Sequence, residues 1–127
     1  MQNHFKSLLS FTAIAGCFLL GSIHPEAQAD SAASSVKSVI DEGKGLAFDR
    51  KKGNCLACHV MGDGQLPGNI GPPIVAMKAR YSDKAKLREQ IYDARISNPH
   101  TIMIPFGPHG VLSNKEVDKI TEYVYTL

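Results

Sequence analysis

Cysteine is scarce in this chain, and its charges nearly cancel. Only three cysteines occur in 127 residues, Cys17, Cys55 and Cys58, and 14 basic residues stand against 12 acidic ones. So even a balance gives no reason to expect a nucleic-acid partner. No second cysteine pair accompanies Cys55 and Cys58, so the further ligands of a structural zinc site are missing. No convincing strand series is present either, which removes the βαβ setting of a thioredoxin-like thiol pair. Internal repeats, low-complexity tracts and a second domain are all absent from the composition. The apolar run from Leu8 to Leu20 is too short for a confident membrane span.

What is present is concentrated in five residues, Cys55-Leu56-Ala57-Cys58-His59. Cys-x-x-Cys-His is the pattern of covalent c-type haem attachment. Two thiols add to the two haem vinyl groups, and the two residues between them let one short turn present both sulfurs. The adjacent imidazole then falls under the ring as the proximal iron ligand. The expected cofactor is one haem c bound through Cys55 and Cys58.

The N-terminus reads as an export signal. Lys6 supplies the positive start, the Leu8 to Leu20 run the apolar core, and Ala27-Gln28-Ala29 a small-x-small cleavage site. This predicts a signal peptide over residues 1–29, one domain over 30–127, and a periplasmic location. A second processing route is open. Ile14-Ala15-Gly16-Cys17 resembles a lipobox, although Phe18-Leu19-Leu20 continues the apolar core past the cysteine. If Cys17 leaves with the signal, the mature domain holds only the haem pair and no disulfide can form. A domain this small has a thin core. The haem is expected to fill it, which couples folding to cofactor attachment.

Three helices are predicted. The first runs from about Ser34 to Arg50, with Val36, Val39, Ile40, Gly43 and Ala47 at helical spacing. Gly43 lies in this stripe, where a glycine permits close helix approach. Gly45 lies off it and reads equally as simple tolerance. The second helix starts at a Ser82 or Asp83 cap, turns Leu87, Ile91 and Ala94 inward, and stops at Asn98-Pro99. The third opens with Ser113-Asn114-Lys115-Glu116, a capping box, and aligns Val117, Ile120, Val124 and Leu127. That face is expected to cross the first helix near Gly43.

The iron needs a sixth ligand or an open position. Met61 follows His59 too closely to cross the ring, and Met77 reads as core. Met103 lies in Thr101-Ile102-Met103-Ile104-Pro105-Phe106-Gly107, a loop stiffened by Pro105 and Pro108, and is the expected axial thioether. His100 and His109 flank the loop and read as exposed histidines. Around the iron, the Pro72 carbonyl is placed to accept the Nδ1–H of His59. Arg80 reads equally as a partner for a haem propionate or as a solvated charge capping the second helix. The Thr101 hydroxyl is a further propionate candidate.

Together these features resemble the class I cytochrome c fold, an all-α domain with crossed N- and C-terminal helices around one covalent haem. The resemblance rests on the haem motif, Gly71-Pro72, Arg80, the Thr101-x-Met103 loop and Tyr123. It implies that Pro72 hydrogen-bonds His59, that Arg80 meets a propionate and that Met103 is the distal ligand. Phe48 stands seven residues before Cys55, whereas many mitochondrial-type members have this aromatic four before. The run from Ala47 to His59, Asn98-Pro99, Met103-x-Pro105-Phe106-Gly107 and Leu112-Ser113 is similar to the SoxX family, the smaller subunits of SoxAX cytochromes. That resemblance implies an electron-transfer subunit beside a SoxA-type cytochrome. The pair oxidatively couples thiosulfate to a carrier-protein cysteine and passes electrons to a small acceptor cytochrome. Catalysis is then expected in the partner, since this chain has no free cysteine for the catalytic haem. The alternative is a free-standing mobile shuttle cytochrome, with lysines at 51, 52 and 78–88 forming its docking face.

Overall fold

A computed structural model describes residues 26–127, with side chains from Asp30 onward. The apolar leader segment and Cys17 lie outside the described residues. The first helix, α1, spans Glu26–Phe48. It begins well before the expected Ser34, because residues 26–35 are rich in alanine and contain neither glycine nor proline to break a helix. It ends at Phe48 in a tight turn, where the amides of Lys52 and Asn54 both donate to the Asp49 carbonyl at 3.0 Å. Asn54 takes a left-handed conformation (φ 46°), tolerated best by glycine and asparagine, just ahead of a 3₁₀ turn over Cys55–Ala57.

Only the second half of α1 packs. Residues 30–38 are exposed, Val39 and Ile40 are half-buried, and Gly43 and Ala47 are buried. Val36, expected on the inner stripe, is 57% exposed, because the helix has left the body of the domain by that point.

Two short helices follow, α2 over Met77–Arg80 and α3 over Lys84–Tyr92. The Asp83 carboxylate caps α3 by accepting from the Ala85 amide at 2.8 Å. This helix stops earlier than Asn98-Pro99 implies. Asp93 turns extended and its carboxylate caps a new 3₁₀ turn over Ala94–Ile96, accepting from the Arg95 amide. Ala94 is nonetheless fully buried, on the inside as expected.

The last helix, α4, spans Asn114–Val124 and opens with the expected capping box. The Glu116 amide donates to Ser113 Oγ at 3.3 Å, and the Ser113 amide donates to the Glu116 carboxylate at 2.8 Å. Lys52 from the loop after α1 also pairs with Glu116 at 2.7 Å. Lys52 first, then the Ser113 amide and hydroxyl, hold the Glu116 carboxyl down at about 2.

The crossing of α1 and α4 is set at Gly43. A Cβ there would meet the Lys119 carbonyl of α4, so only glycine lets the two backbones approach this closely. Beside the crossing, Phe48 and Tyr123 pack edge to face with centroids 6.0 Å apart. Val117 and Ile120 are fully buried beneath, Val124 nearly so, and Leu127 is half-buried at the edge. The Leu127 carbonyl accepts from the Met77 amide at 2.7 Å, tying the end of α4 to α2. Lys84–Glu122 and Arg88–Asp118 bridge α3 to α4. Exposed pairs of this kind contribute little, so burial along the crossing dominates its stability.

Among the described residues there is no strand, only an isolated parallel bridge between Met61 and Ile74. The architecture is the expected all-α domain with crossed terminal helices. No described helix is long and apolar enough to cross a membrane.

Candidate haem-binding site

Between the helix crossing and the two long loops lies a cavity of about 530 Å³, a volume typical of cofactor pockets. All seven residues singled out from the sequence line it: Cys55, Cys58, His59, Pro72, Arg80, Thr101 and Met103. They reach it from four separate segments, which the helices bring together. His100 and His109 are exposed and absent from its walls. Met61 is buried in the core (1% exposed), while Met77 is both core and cavity wall.

The cysteines sit on the 3₁₀ turn. The His59 amide donates to the Cys55 carbonyl at 2.9 Å, which brings the imidazole round directly after the second thiol. Burial pushes the Cys55 thiol up to about 11, so it stays protonated in the metal-free chain.

The His59 ring is fixed by backbone on one side. Its Nδ1 lies 2.7 Å from the Pro72 carbonyl, an oxygen that only accepts. Nδ1 therefore carries the proton and donates it, leaving Nε2 with a free lone pair. A Cβ on Gly71 would fall inside the imidazole, so glycine is required for the ring to lie this close to the chain.

Residues 71–74 form a strap in which both amides and both proline carbonyls are bonded. The Gly71 amide donates to Cys58 O and the Ile74 amide to Val60 O, both at 2.8 Å. Pro72 and Pro73 have no N–H to satisfy. Their carbonyls take His59 Nδ1–H and Arg80 Nη1–H, the latter at 3.0 Å. Arg80 thus holds the strap, a contact that sequence reasoning missed, since the expectation for it was a propionate or plain solvent.

Thr101 also has a local task. Its hydroxyl accepts from the Met103 amide at 3.2 Å, and its own amide donates to Asn98 O at 3.0 Å, so the methionine loop starts from a fixed turn. Further on, the Val111 and Leu112 amides both donate to the Phe106 carbonyl. Phe106 is buried (6% exposed) and anchors the loop beyond Met103.

The remaining walls show what the sequence could not. Leu87, Ile91, Ile120 and Val124, expected simply as inner helix faces, supply apolar wall. The rim carries Arg50, Lys51, Lys52 and Arg80, and no Asp or Glu lines the cavity. Two thiols, an imidazole with Nε2 free and a thioether, in an apolar chamber without carboxylates, fit an iron porphyrin. They suit a hard cation such as Mg²⁺ or Ca²⁺ poorly.

No family model matches the chain. An uncharacterised lipoprotein of Aquifex aeolicus (strain VF5) is 38% identical over 77 residues, which is 59% of this chain and 37% of that protein. The match thus spans little more than a third of the curated relative. Among solved structures, SoxXA from P. pantotrophus superposes with a TM-score of 0.61 at 25% identity, covering 68% of this chain and 79% of that one. The fold is that of a class I cytochrome c, SoxX-like in form. Cys55 and Cys58 stand in this SoxX-like domain at Cys-x-x-Cys-His spacing, on a turn that opens into the cavity.

Proposed function

We propose that this chain is a periplasmic c-type cytochrome and the electron-transfer subunit of a SoxAX-type complex. The observation that carries this reading is the joint seating of Cys55, Cys58, His59 and Met103 on one apolar cavity, with His59 Nδ1 bonded to Pro72. The likeness to SoxXA supports the choice of complex. Cys55 and Cys58 would hold haem c through thioethers, and His59 Nε2 and the Met103 thioether would hold its iron. Bound there, the haem supplies one-electron chemistry at its iron.

The chain's own residues govern that chemistry. Pro72 fixes the tautomer and orientation of His59 and raises its basicity. The stiff loop from Thr101 to Leu112 keeps the Met103 thioether in place, and a His/Met pair favours reduced iron. Leu87, Ile91, Ile120 and Val124 exclude water. Arg80 and Thr101 have donors to offer the propionates. Since His59 and Met103 would both be engaged on the haem, bond formation between thiosulfate and a carrier-protein cysteine would fall to a SoxA-type partner, and electrons would pass on to a small acceptor cytochrome. Mild purification of the native protein with mass analysis tests this. A larger cytochrome should travel with it, and thiosulfate should reduce the haem of the pair. A lone haem protein would remove the sulfur chemistry.

A second reading, the mobile shuttle, is favoured by the rim of Arg50, Lys51, Lys52 and Arg80 without any lining carboxylate. A basic rim of this kind steers acidic partners at a salt-dependent rate. Steep loss of electron-transfer rate with added salt supports the shuttle, and a flat response supports the stable subunit. Two processing routes remain in play for residues 1–29. Cleavage after Ala29 yields a mature domain of residues 30–127, whereas the lipoprotein name of the Aquifex relative favours lipidation at Cys17. Intact mass of the mature protein separates them.

A further inference from the structure

We propose that Arg80 is a positioning residue for His59: by clamping the Pro73 carbonyl it holds the strap so that the Pro72 carbonyl faces Nδ1. The inference rests on the proposed role of His59 as iron ligand and goes beyond it, by naming what sets the strength of that ligand.

The geometry has few free parameters. The ends of the strap are pinned by the Gly71 and Ile74 amides to the segment that carries His59. Between those pins, Pro72 and Pro73 each present a single carbonyl. The two carbonyls belong to successive peptide planes, and the ring-locked φ of Pro73 between them limits how far one plane can turn without the other. One carbonyl meets His59, and the other meets the Arg80 guanidinium at 3.0 Å. Arg80 is itself seated. Its amide donates to Ala76 O at 3.1 Å, and the same Nη1 lies 3.5 Å from Met77 Sδ, whose residue is only 2% exposed. The clamp is therefore anchored to the core through Met77. With Nη1 engaged on the strap, Nε and Nη2 stay available for an anion, so strap-holding and propionate pairing do not compete.

The two roles have opposite signatures. A hydrogen bond accepted by Pro72 O gives His59 more imidazolate character, which stabilises oxidised iron and lowers the potential. Releasing the strap should weaken that bond and raise the potential. Removing a nearby cation, by contrast, relieves its repulsion of the more positive oxidised iron and lowers the potential. The sign of the change tells which role prevails.

The experiment compares holoprotein carrying Arg80, Arg80→Leu and Arg80→Lys. The readouts are the midpoint potential and the exchange rate of the His59 Nδ1–H, followed by NMR on ¹⁵N-labelled protein, with α4 amide exchange as the control for folding. Arg80→Leu should raise the potential and speed Nδ1–H exchange by about fivefold to tenfold, the factor that corresponds to one ordinary hydrogen bond, with α4 amides unmoved. Arg80→Lys keeps the charge and one donor, and should restore part of the protection. Unchanged Nδ1–H exchange in Arg80→Leu, or a lowered potential in it, overturns the proposal and leaves Arg80 as a charge beside the haem. Should Arg80→Leu fail to accumulate, Arg80→Lys alone decides, through its exchange rate against the parent. A parent protein without the spectrum of His/Met-ligated iron would instead refute the ligand assignment, a failure visible before any variant is made.

Discussion

The helix crossing and the cavity are built from different materials. Where α1 meets α4, regular backbone satisfies itself. Gly43 allows main chain to lie on main chain, and Val117 and Ile120 are sealed beneath. Around the cavity, most of the wall is loop: residues 58–76 and 98–112 hold together through single amide-to-carbonyl bonds, prolines and one arginine. The crossing is closed by its own side chains, whereas the loops enclose a cavity of about 530 Å³. Stability is thus concentrated on one side of the domain and chemistry on the other.

The sharpest way to break this contrast is His59→Ala. The variant should yield little or no mature haem protein, and whatever chain survives should keep helical circular dichroism from α1 and α4 while its cavity loops exchange freely. Simultaneous loss of helix and loops in hydrogen exchange would show that the two sides form one cooperative unit after all. On the other side, Gly43→Val attacks the crossing directly. A β-branched residue against the Lys119 carbonyl forces the helices apart and should cost about 3 kcal/mol or more, read as a large fall in Tm with an unchanged haem spectrum in the folded fraction.

Met103→Ala is a gentler probe of the cavity side. The haem should stay covalently attached through Cys55 and Cys58, but with an open iron position that binds cyanide or carbon monoxide rapidly, and with a lower potential. An unaltered visible spectrum would remove Met103 from the iron. The smallest effect belongs to the cap of α4. Glu116→Gln keeps a capping-box residue but loses the charge paired with Lys52, and should cost about 0.5 kcal/mol, measured by denaturant unfolding. The same carboxylate predicts a pH dependence. Its folded value, about 2, lies below its ordinary 4.5, so its contribution is complete above about pH 4.5 and is lost as pH falls from there through about 2. Glu116→Gln should flatten that part of the acid-unfolding curve.

What the sequence made legible follows the same divide. The crossing could be read because it is written in periodic and local signals: the α4 stripe, the Ser113–Glu116 box and a glycine within the α1 stripe. The haem motif could be read because its three functional residues are contiguous. Features that depend on meeting distant chain were hidden. Nothing local to Arg80 announces that its guanidinium meets Pro73 O, and the basic rim of the cavity joins residues 50–52 to residue 80 through space alone. The two helix ends that differ from expectation have physical causes of their own. Residues 26–33 carry no periodic apolar signal, and those from Asp30 on are helical with their side chains in water. Asp93 ends α3 by choosing a new cap before Asn98-Pro99 is reached.

The unpacked start of α1 has a mechanical consequence. Residues 26–38 form a rod of about 20 Å at 1.5 Å per residue, projecting from the crossing with its side chains in water from Asp30 on. A flexible linker of the same length would let the domain sample every direction around its attachment. On the route that lipidates Cys17, a helix continuous with the crossing instead transmits orientation, so any pull or tilt applied at its start is felt as torque on Gly43 and α4. The rod then makes the heading of the domain, and with it the direction in which the cavity mouth points, a property inherited from its anchor.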